Sequence, residues 1–147
     1  MQIEPFLTLA VEEAELGLSV GGIPIGAVLV HEGRVIGHGR NRRVDRGSAI
    51  LHGEMDALEN AGRLPAAIYK DTTMYTTLSP CAMCSGAILL YGIPRLVVGE
   101  NRTFLGEEDL LRSRGVELEV VQDPRCIALM ERFIAAHPEL WNEDIGR

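Results

Sequence analysis

A chain of 147 residues has room for one domain, and its 46% hydrophobic and 24% charged content excludes a disordered, collagenous or coiled-coil protein. With 14 Lys and Arg against 21 Asp and Glu the net charge is −7, which speaks against a dedicated nucleic-acid binder, because an acidic body repels a phosphate backbone. No apolar run approaches the ~20 residues of a membrane span, and Met1-Gln2-Ile3-Glu4 has neither a basic nor an apolar leader segment, so the expectation is a soluble, cytoplasmic, single-domain protein over residues 1–147.

In chain order, Ile3, Leu7, Ala10, Val11, Ala14 and Leu18 recur at helical spacing, and Gly17, Gly21 and Gly22 end that helix. Residues 25–30 and 34–39 read as two strands of a hairpin turning at Glu32-Gly33. A polar loop to about residue 49 holds Arg40, Arg42, Arg43 and Arg46, either a solvated loop or subunit contact or a phosphate-contacting patch. A helix runs from near His52 to Gly62, and residues 72–76 form a strand. Ser79-Pro80 then reads as a serine cap followed by a first-turn proline, starting a helix that reaches Tyr91-Gly92. A strand over 95–98, a helix over 107–114, a strand over 117–121 and a helix over 124–136 complete the pattern. His137-Pro138 breaks the last helix, and residues 139–147 are too short for a core of their own, yet they hold the chain's single Trp. A hairpin followed by alternating strands and helices predicts a three-layer α/β/α sandwich on a five-stranded mixed sheet. The last two strands should be parallel, since the segment between them has room for a helical crossover.

Two helix starts carry the chemistry. One opens with His52-Gly53-Glu54, the other with Pro80-Cys81-Ala82-Met83-Cys84. Residues i and i+3 share a helix face, so Cys81 and Cys84 can hold one ion, and His52 would complete a nitrogen-and-two-sulfur set that suits zinc. His52 and Glu54 converge only if His52 sits at the cap, outside the regular turn. An odd count of three cysteines argues against a disulfide framework. Cys126, among Ile127, Met130 and Phe133, reads as a buried thiol, the competing reading being the fourth ligand of a closed structural site. A carboxylate beside the metal has no use in such a site, so Glu54 favours catalysis. The combined pattern H-x-E and P-C-x-x-C is similar to the signature of zinc-dependent nucleobase deaminases.

Beyond that pattern, the run Asp71-Thr72-Thr73-Met74-Tyr75-Thr76-Thr77-Leu78-Ser79-Pro80-Cys81, then Met83-Cys84, Gly86-Ala87-Ile88 and Tyr91-Gly92-Ile93-Pro94-Arg95, resembles the fungal-type cytosine deaminases. So do Val97-Val98-Gly99-Glu100-Asn101, Phe104 and the stretch Trp141-Asn142-Glu143-Asp144-Ile145-Gly146. The resemblance implies a homodimer of cytidine-deaminase-like subunits that converts free cytosine to uracil and ammonia, as in pyrimidine salvage. It implies one zinc per subunit, with a catalytic water, held by His52, Cys81 and Cys84, and Glu54 as proton shuttle. Asn41, the Gly53 amide, the Ser79 backbone and Asp144 would hydrogen-bond the base, and Phe104 and Trp141 would cover it. Read alone, Asn41 is a turn residue and Trp141 packs the tail. The chain departs from the family pattern at Val44, where an aromatic is expected, and in a segment after Phe104 that is one residue shorter. Isocytosine, guanine or another small amino-heterocycle is an alternative substrate, a tRNA adenosine deaminase an alternative enzyme, and a non-catalytic zinc module a third reading.

Overall fold

The structure, a computed structural model, describes residues 3–147; residues 1 and 2, on which part of the leader reading falls, lie outside the described residues. Helix α1 (Phe6–Ser19) leads into strands β1 (Gly26–His31) and β2 (Arg34–Arg40), then a short α2 (Arg43–Arg46), α3 (Gly53–Ala61) and a short α4 (Ala66–Tyr69). Strand β3 (Thr72–Leu78), α5 (Ala82–Tyr91), β4 (Arg95–Glu100), α6 (Glu108–Ser113), β5 (Glu117–Val120), α7 (Pro124–Ala136) and α8 (Pro138–Asp144) follow.

The five strands form one sheet in the order β2-β1-β3-β4-β5. β1 is antiparallel to both β2 and β3, whereas β3-β4 and β4-β5 are parallel. Alternation along each strand sorts the core into two faces. Ala27, Leu29, Met74, Leu96 and Val98 pack with Ala57 of α3, Ile88 of α5 and Leu111 of α6. Val28, Val30, Tyr75 and Val97 pack with Leu7 and Ala10 of α1 on the other side, where α7 also lies on β4. All seven positions of β3 are buried, as befits a central strand covered on both faces. This is the expected three-layer sandwich.

Two glycines of β2 explain how closely α3 sits. A Cβ on Gly37 would come within 2.6 Å of the Ala57 carbonyl oxygen, and one on Gly39 within 2.5 Å of the Ala57 nitrogen. The helix backbone rests on bare strand, which brings His52 and Glu54 down to the sheet's edge.

Three local expectations are corrected. The arginine loop contains α2, and a further turn, α4, precedes β3. Ser79 does not cap α5: the N-cap is Cys81, and the Ser79 hydroxyl instead donates to Glu108 Oε2 at 2.6 Å. His137-Pro138 ends α7 but also starts α8, because a proline at the first helical position sacrifices an N–H that has no helical partner anyway. Trp141 on α8 is buried with Ile23, Ile25, Leu78 and Phe133, so the tail docks as a third part of the core.

Candidate active site

Both ligand-bearing segments enter their helices through an extended cap residue. His52 is the N-cap of α3 at φ −63° and ψ 165°, and Cys81 is the N-cap of α5 at φ −68° and ψ 177°. The extended cap turns His52 out of the helical register, which is how it and Glu54 face one point two residues apart. Gly53 between them lies against the Ile25 carbonyl, where a Cβ would stand only 3.1 Å from the oxygen. Cys84 follows Cys81 by three residues and is fully buried.

His52 Nδ1 lies 3.4 Å from Cys81 Sγ and 3.8 Å from Cys84 Sγ, and the three atoms lie within 4.8 Å of one another. Ligands of a tetrahedral zinc, at about 2.0 Å for nitrogen and 2.3 Å for sulfur, stand about 3.5 Å apart. The donor set and spacing therefore fit zinc. His52 Nε2 lies 3.2 Å from Asp144 Oδ1. That carboxylate accepts a hydrogen bond from Nε2–H, which keeps the proton there and leaves the Nδ1 lone pair for a metal, the usual way a ligating imidazole is oriented. Asp144 is also held by Asn41, whose Nδ2 donates to its two oxygens at 3.1 and 3.2 Å. Asn41 Oδ1 in turn accepts the Arg43 N–H at 2.9 Å.

The electrostatics follow from this crowding. Burial raises the Glu54 carboxyl to about 7, outweighing the neighbouring His52, which favours its ionised form. Cys81 is lowered to about 4 by the hydrogen bond from Cys84, with His52 adding to it against the cost of burial. The Cys84 thiol, on the donating side of that bond and buried, is raised. Burial opposes a charge on His52, but its bonds to Asp144 and Cys81 prevail and raise it to about 10 in the metal-free chain, so a metal on Nδ1 would displace a proton. Cys126 is pushed up to about 12, mainly by burial, and lies against Gly99, where a Cβ would meet its sulfur at 2.5 Å. It stands outside the trio, which removes the closed four-ligand reading.

Above the trio is a small cavity whose wall includes Ile25, Glu54, Leu78, Ser79, Phe104 and Trp141. The Phe104 and Trp141 rings meet edge to face, centroids 5.7 Å apart at 86°. Asp144 reaches the cavity, while Asn41 and Gly53 stand behind its wall. A second trio, His31, Glu32 and Asp71, sits at the hairpin with both carboxylates exposed, His31 Nε2 lying 3.3 Å from Asp71 Oδ2. The arginine cluster is largely spent within the chain: Arg40 and Arg42 pair with Asp45, Arg42 with Asp56, and Arg43 with Glu143.

Sequence reasoning missed Asp56, Glu100 and Glu108, each almost wholly buried. Asp56 Oδ2 accepts from Arg40 N at 3.0 Å and Arg42 Nε at 3.1 Å, gripping the chain on both sides of Asn41. Glu100 closes the apolar run of β4, and a carboxylate at that place is the one sequence signal that marks it.

Three protein donors facing a cavity, with a carboxylate in its wall, are the arrangement of a catalytic zinc protein rather than a structural one. Residues 1–100 match the cytidine and deoxycytidylate deaminase zinc-binding region, and the chain belongs to that family. It is 57% identical over 141 residues to cytosine deaminase of Candida albicans, covering 95% of this chain and 94% of that one. It is 41% identical over 112 residues to a tRNA-specific adenosine deaminase of Streptococcus pyogenes, covering 72% of this chain and 67% of that one. Among solved structures it resembles a tRNA deaminase acting at the wobble position, with TM-score 0.72 and 27% identity over 84% of this chain and 97% of that one. The fold is shared with guanine deaminase of Nitrosomonas europaea, with TM-score 0.69 and 23% identity over 88% of this chain and 83% of that one.

Proposed function

We propose that the protein is a zinc-dependent hydrolase that converts free cytosine and water to uracil and ammonia, working as one deaminase domain over residues 1–147. The reading is carried by the roofed cavity with Glu54 and the three donors around it. The likeness to a cytosine deaminase over nearly the whole chain supports this choice of base.

His52, Cys81 and Cys84 would hold the metal, which when bound makes a water acidic enough to attack at neutral pH. Glu54, held near neutrality by burial, accepts the proton of the attacking water and passes it to ring N3, making C4 electrophilic. The remaining hydroxyl proton then moves through Glu54 to the amino group. The C4–N bond breaks, ammonia leaves, and C4 keeps the oxygen as a carbonyl. Asp144 keeps His52 in the ligating tautomer and presents its carboxylate to the cavity. Ser79 offers its backbone to the base edge, and Asn41, behind the wall with Gly53, sets Asp144 in place. Phe104 and Trp141 cover the ring face and exclude water.

A panel of free bases and nucleosides assayed for ammonia tests this. Cytosine should be turned over and cytidine not, because a ribose on N1 adds bulk that the roofed cavity does not admit. Comparable turnover of the two refutes the free-base reading. The relatives that act on tRNA motivate the second reading, against which the net charge of −7 weighs; salt-dependent retardation of RNA on a gel would favour it. Exposed Ile50, Leu90 and Tyr91 support a homodimer, to be tested by sedimentation.

A further inference from the structure

We infer that Glu108, a residue outside the metal-binding and proton-transfer set, is a positioning residue for the deamination. It locks the loop carrying Phe104 onto the segment that delivers Ser79 and Cys81, an inference that rests on the proposed function.

Two chain segments leave the sheet side by side at the cavity. β3 ends at Leu78 and passes through Ser79 and Pro80 into the Cys81 cap; β4 ends at Glu100, paired in register with Leu78, and continues as the loop 101–107. The Ser79 N–H donates to the Glu100 carbonyl at 3.0 Å, the last rung between the two strands. Beyond it one backbone bond, from Glu107 N–H to the Pro80 carbonyl, still ties the segments, and Glu108 is the side chain that reaches back across. It is 3% exposed at the start of α6. Its Oε2 accepts the Ser79 hydroxyl at 2.6 Å, and the Ser79 oxygen accepts the Gly106 N–H at 2.9 Å. Its Oε1 accepts Asn101 Nδ2 at 3.3 Å and lies 3.6 Å from Arg112 Nη1. One carboxylate thus grips the first residue of the loop and, through a single hydroxyl, both its far end and the ligand segment. Because the Ser79 hydroxyl donates on one side and accepts on the other, its rotation is fixed.

The surrounding contacts allow no slack. The Pro80 carbonyl accepts the Glu107 N–H at 3.1 Å, and a Cβ on Gly106 would fall 1.8 Å from that carbonyl oxygen, so only glycine permits the approach. Glu100 does a narrower job. Its carboxylate accepts from Arg102 N and Thr103 N and from the Thr103 hydroxyl, shaping the loop's start without touching the ligand segment. Glu108 joins the two, and both meet the cavity: Ser79 in its wall, Phe104 in its roof against Trp141. A displacement of an ångström between floor and roof is enough to spoil binding geometry.

The test uses the zinc-loaded full chain, with cytosine kinetics and acrylamide quenching of the single Trp as separate readouts. Glu108→Ala should retain one zinc per chain, raise KM about tenfold with kcat within about threefold, and increase quenching of Trp141 as Phe104 loosens. Glu108→Gln should restore both readouts. Its oxygen can accept from Ser79, and its amide can donate to Asn101 if the Asn101 and Gln122 amides both turn over, which brings Gln122 Oε1, a buried acceptor without a partner among the described residues, round to accept from Asn101. Ser79→Ala should raise KM by the same factor, and the double variant with Glu108→Ala should be no worse than either alone. Wild-type KM and quenching in Ser79→Ala overturn the inference, also where Glu108→Ala fails to fold. A wild-type protein inactive on cytosine refutes the proposed substrate, while the quenching series still judges the latch.

Discussion

Replacing Asp144 by alanine should weaken zinc binding although Asp144 is not a ligand. The carboxylate is 6% exposed and serves two buried donors, His52 Nε2–H and Asn41 Nδ2. Removing it strands both, at a cost of about 1–3 kcal/mol for each unpaired group. Part of that cost falls on the fold and part on the metal, since an imidazole without its outer partner loses both orientation and basicity. Losing such a partner typically lowers metal affinity about 10–100-fold, or about 1.4–2.7 kcal/mol. Competition against a chromophoric chelator at fixed pH measures the zinc Kd directly, with urea midpoints recorded in parallel to separate the loss of fold. Asp144→Asn is the sharper control. Its Oδ1 can still accept from His52, while its amide faces the Asn41 amide, which cannot turn over without giving up the Arg43 N–H. Zinc affinity in Asp144→Asn should therefore stay within about threefold of wild type while stability falls. A zinc Kd in Asp144→Ala equal to that of wild type would sink the argument that Asp144 orients His52.

Glu54→Gln should bind zinc normally yet lose at least ~10²-fold in kcat, read from ammonia release; near-normal turnover would remove Glu54 from the proton path. Cys81→Ser should lose the metal and stability with it, whereas Cys126→Ser, outside the trio, should retain one zinc per chain by metal analysis. Asp123 accepts the Arg125 N–H at the α7 cap, and its hydrogen bond to the Arg125 guanidinium, more than burial opposes, lowers its carboxyl below the ordinary 3.8. The stabilisation that this charge provides is therefore complete above the unfolded value and lost as pH falls through the lower folded one. The gap in urea midpoint between wild type and Asp123→Asn should be open at pH 7 and narrow at pH 3; an unchanged gap contradicts the ion-pair account.

What could be read in the sequence is what is local. The α1 stripe, the Glu32-Gly33 hairpin and the stop at Gly92, which adopts φ 69°, each follow from neighbours within a turn. The ligand trio was legible for the same reason: Cys81 and Cys84 are one helical turn apart, and His52-Gly53-Glu54 is a single cap. Ser79 was misread because serine before proline looks the same whether its hydroxyl caps a helix or, as here, meets a carboxylate 29 residues away. Asn41 and Asp144 are 103 residues apart, and no spacing rule links them. Pro138 carries both meanings, the end of one helix and the start of the next, and the second shows only in the burial of Trp141, which no core pattern in the sequence announces.

That His52 and Cys81 are both helix caps makes the hydrophobic core a measuring device. The gap between imidazole and thiol is set by how α3 and α5 lie on the same face of the sheet, and there Ala57 and Ile88 belong to one packed cluster. A methyl group added at Ala57 or removed at Ile88 moves a cap, not merely a side chain. Such changes would register at the metal as altered affinity before they registered as unfolding. Conversely, an ion held by these caps would staple two helices that start 29 residues apart in the chain, so its occupancy would feed back on the packing beneath it. Core composition and metal affinity would thus be coupled variables, neither free to change far alone.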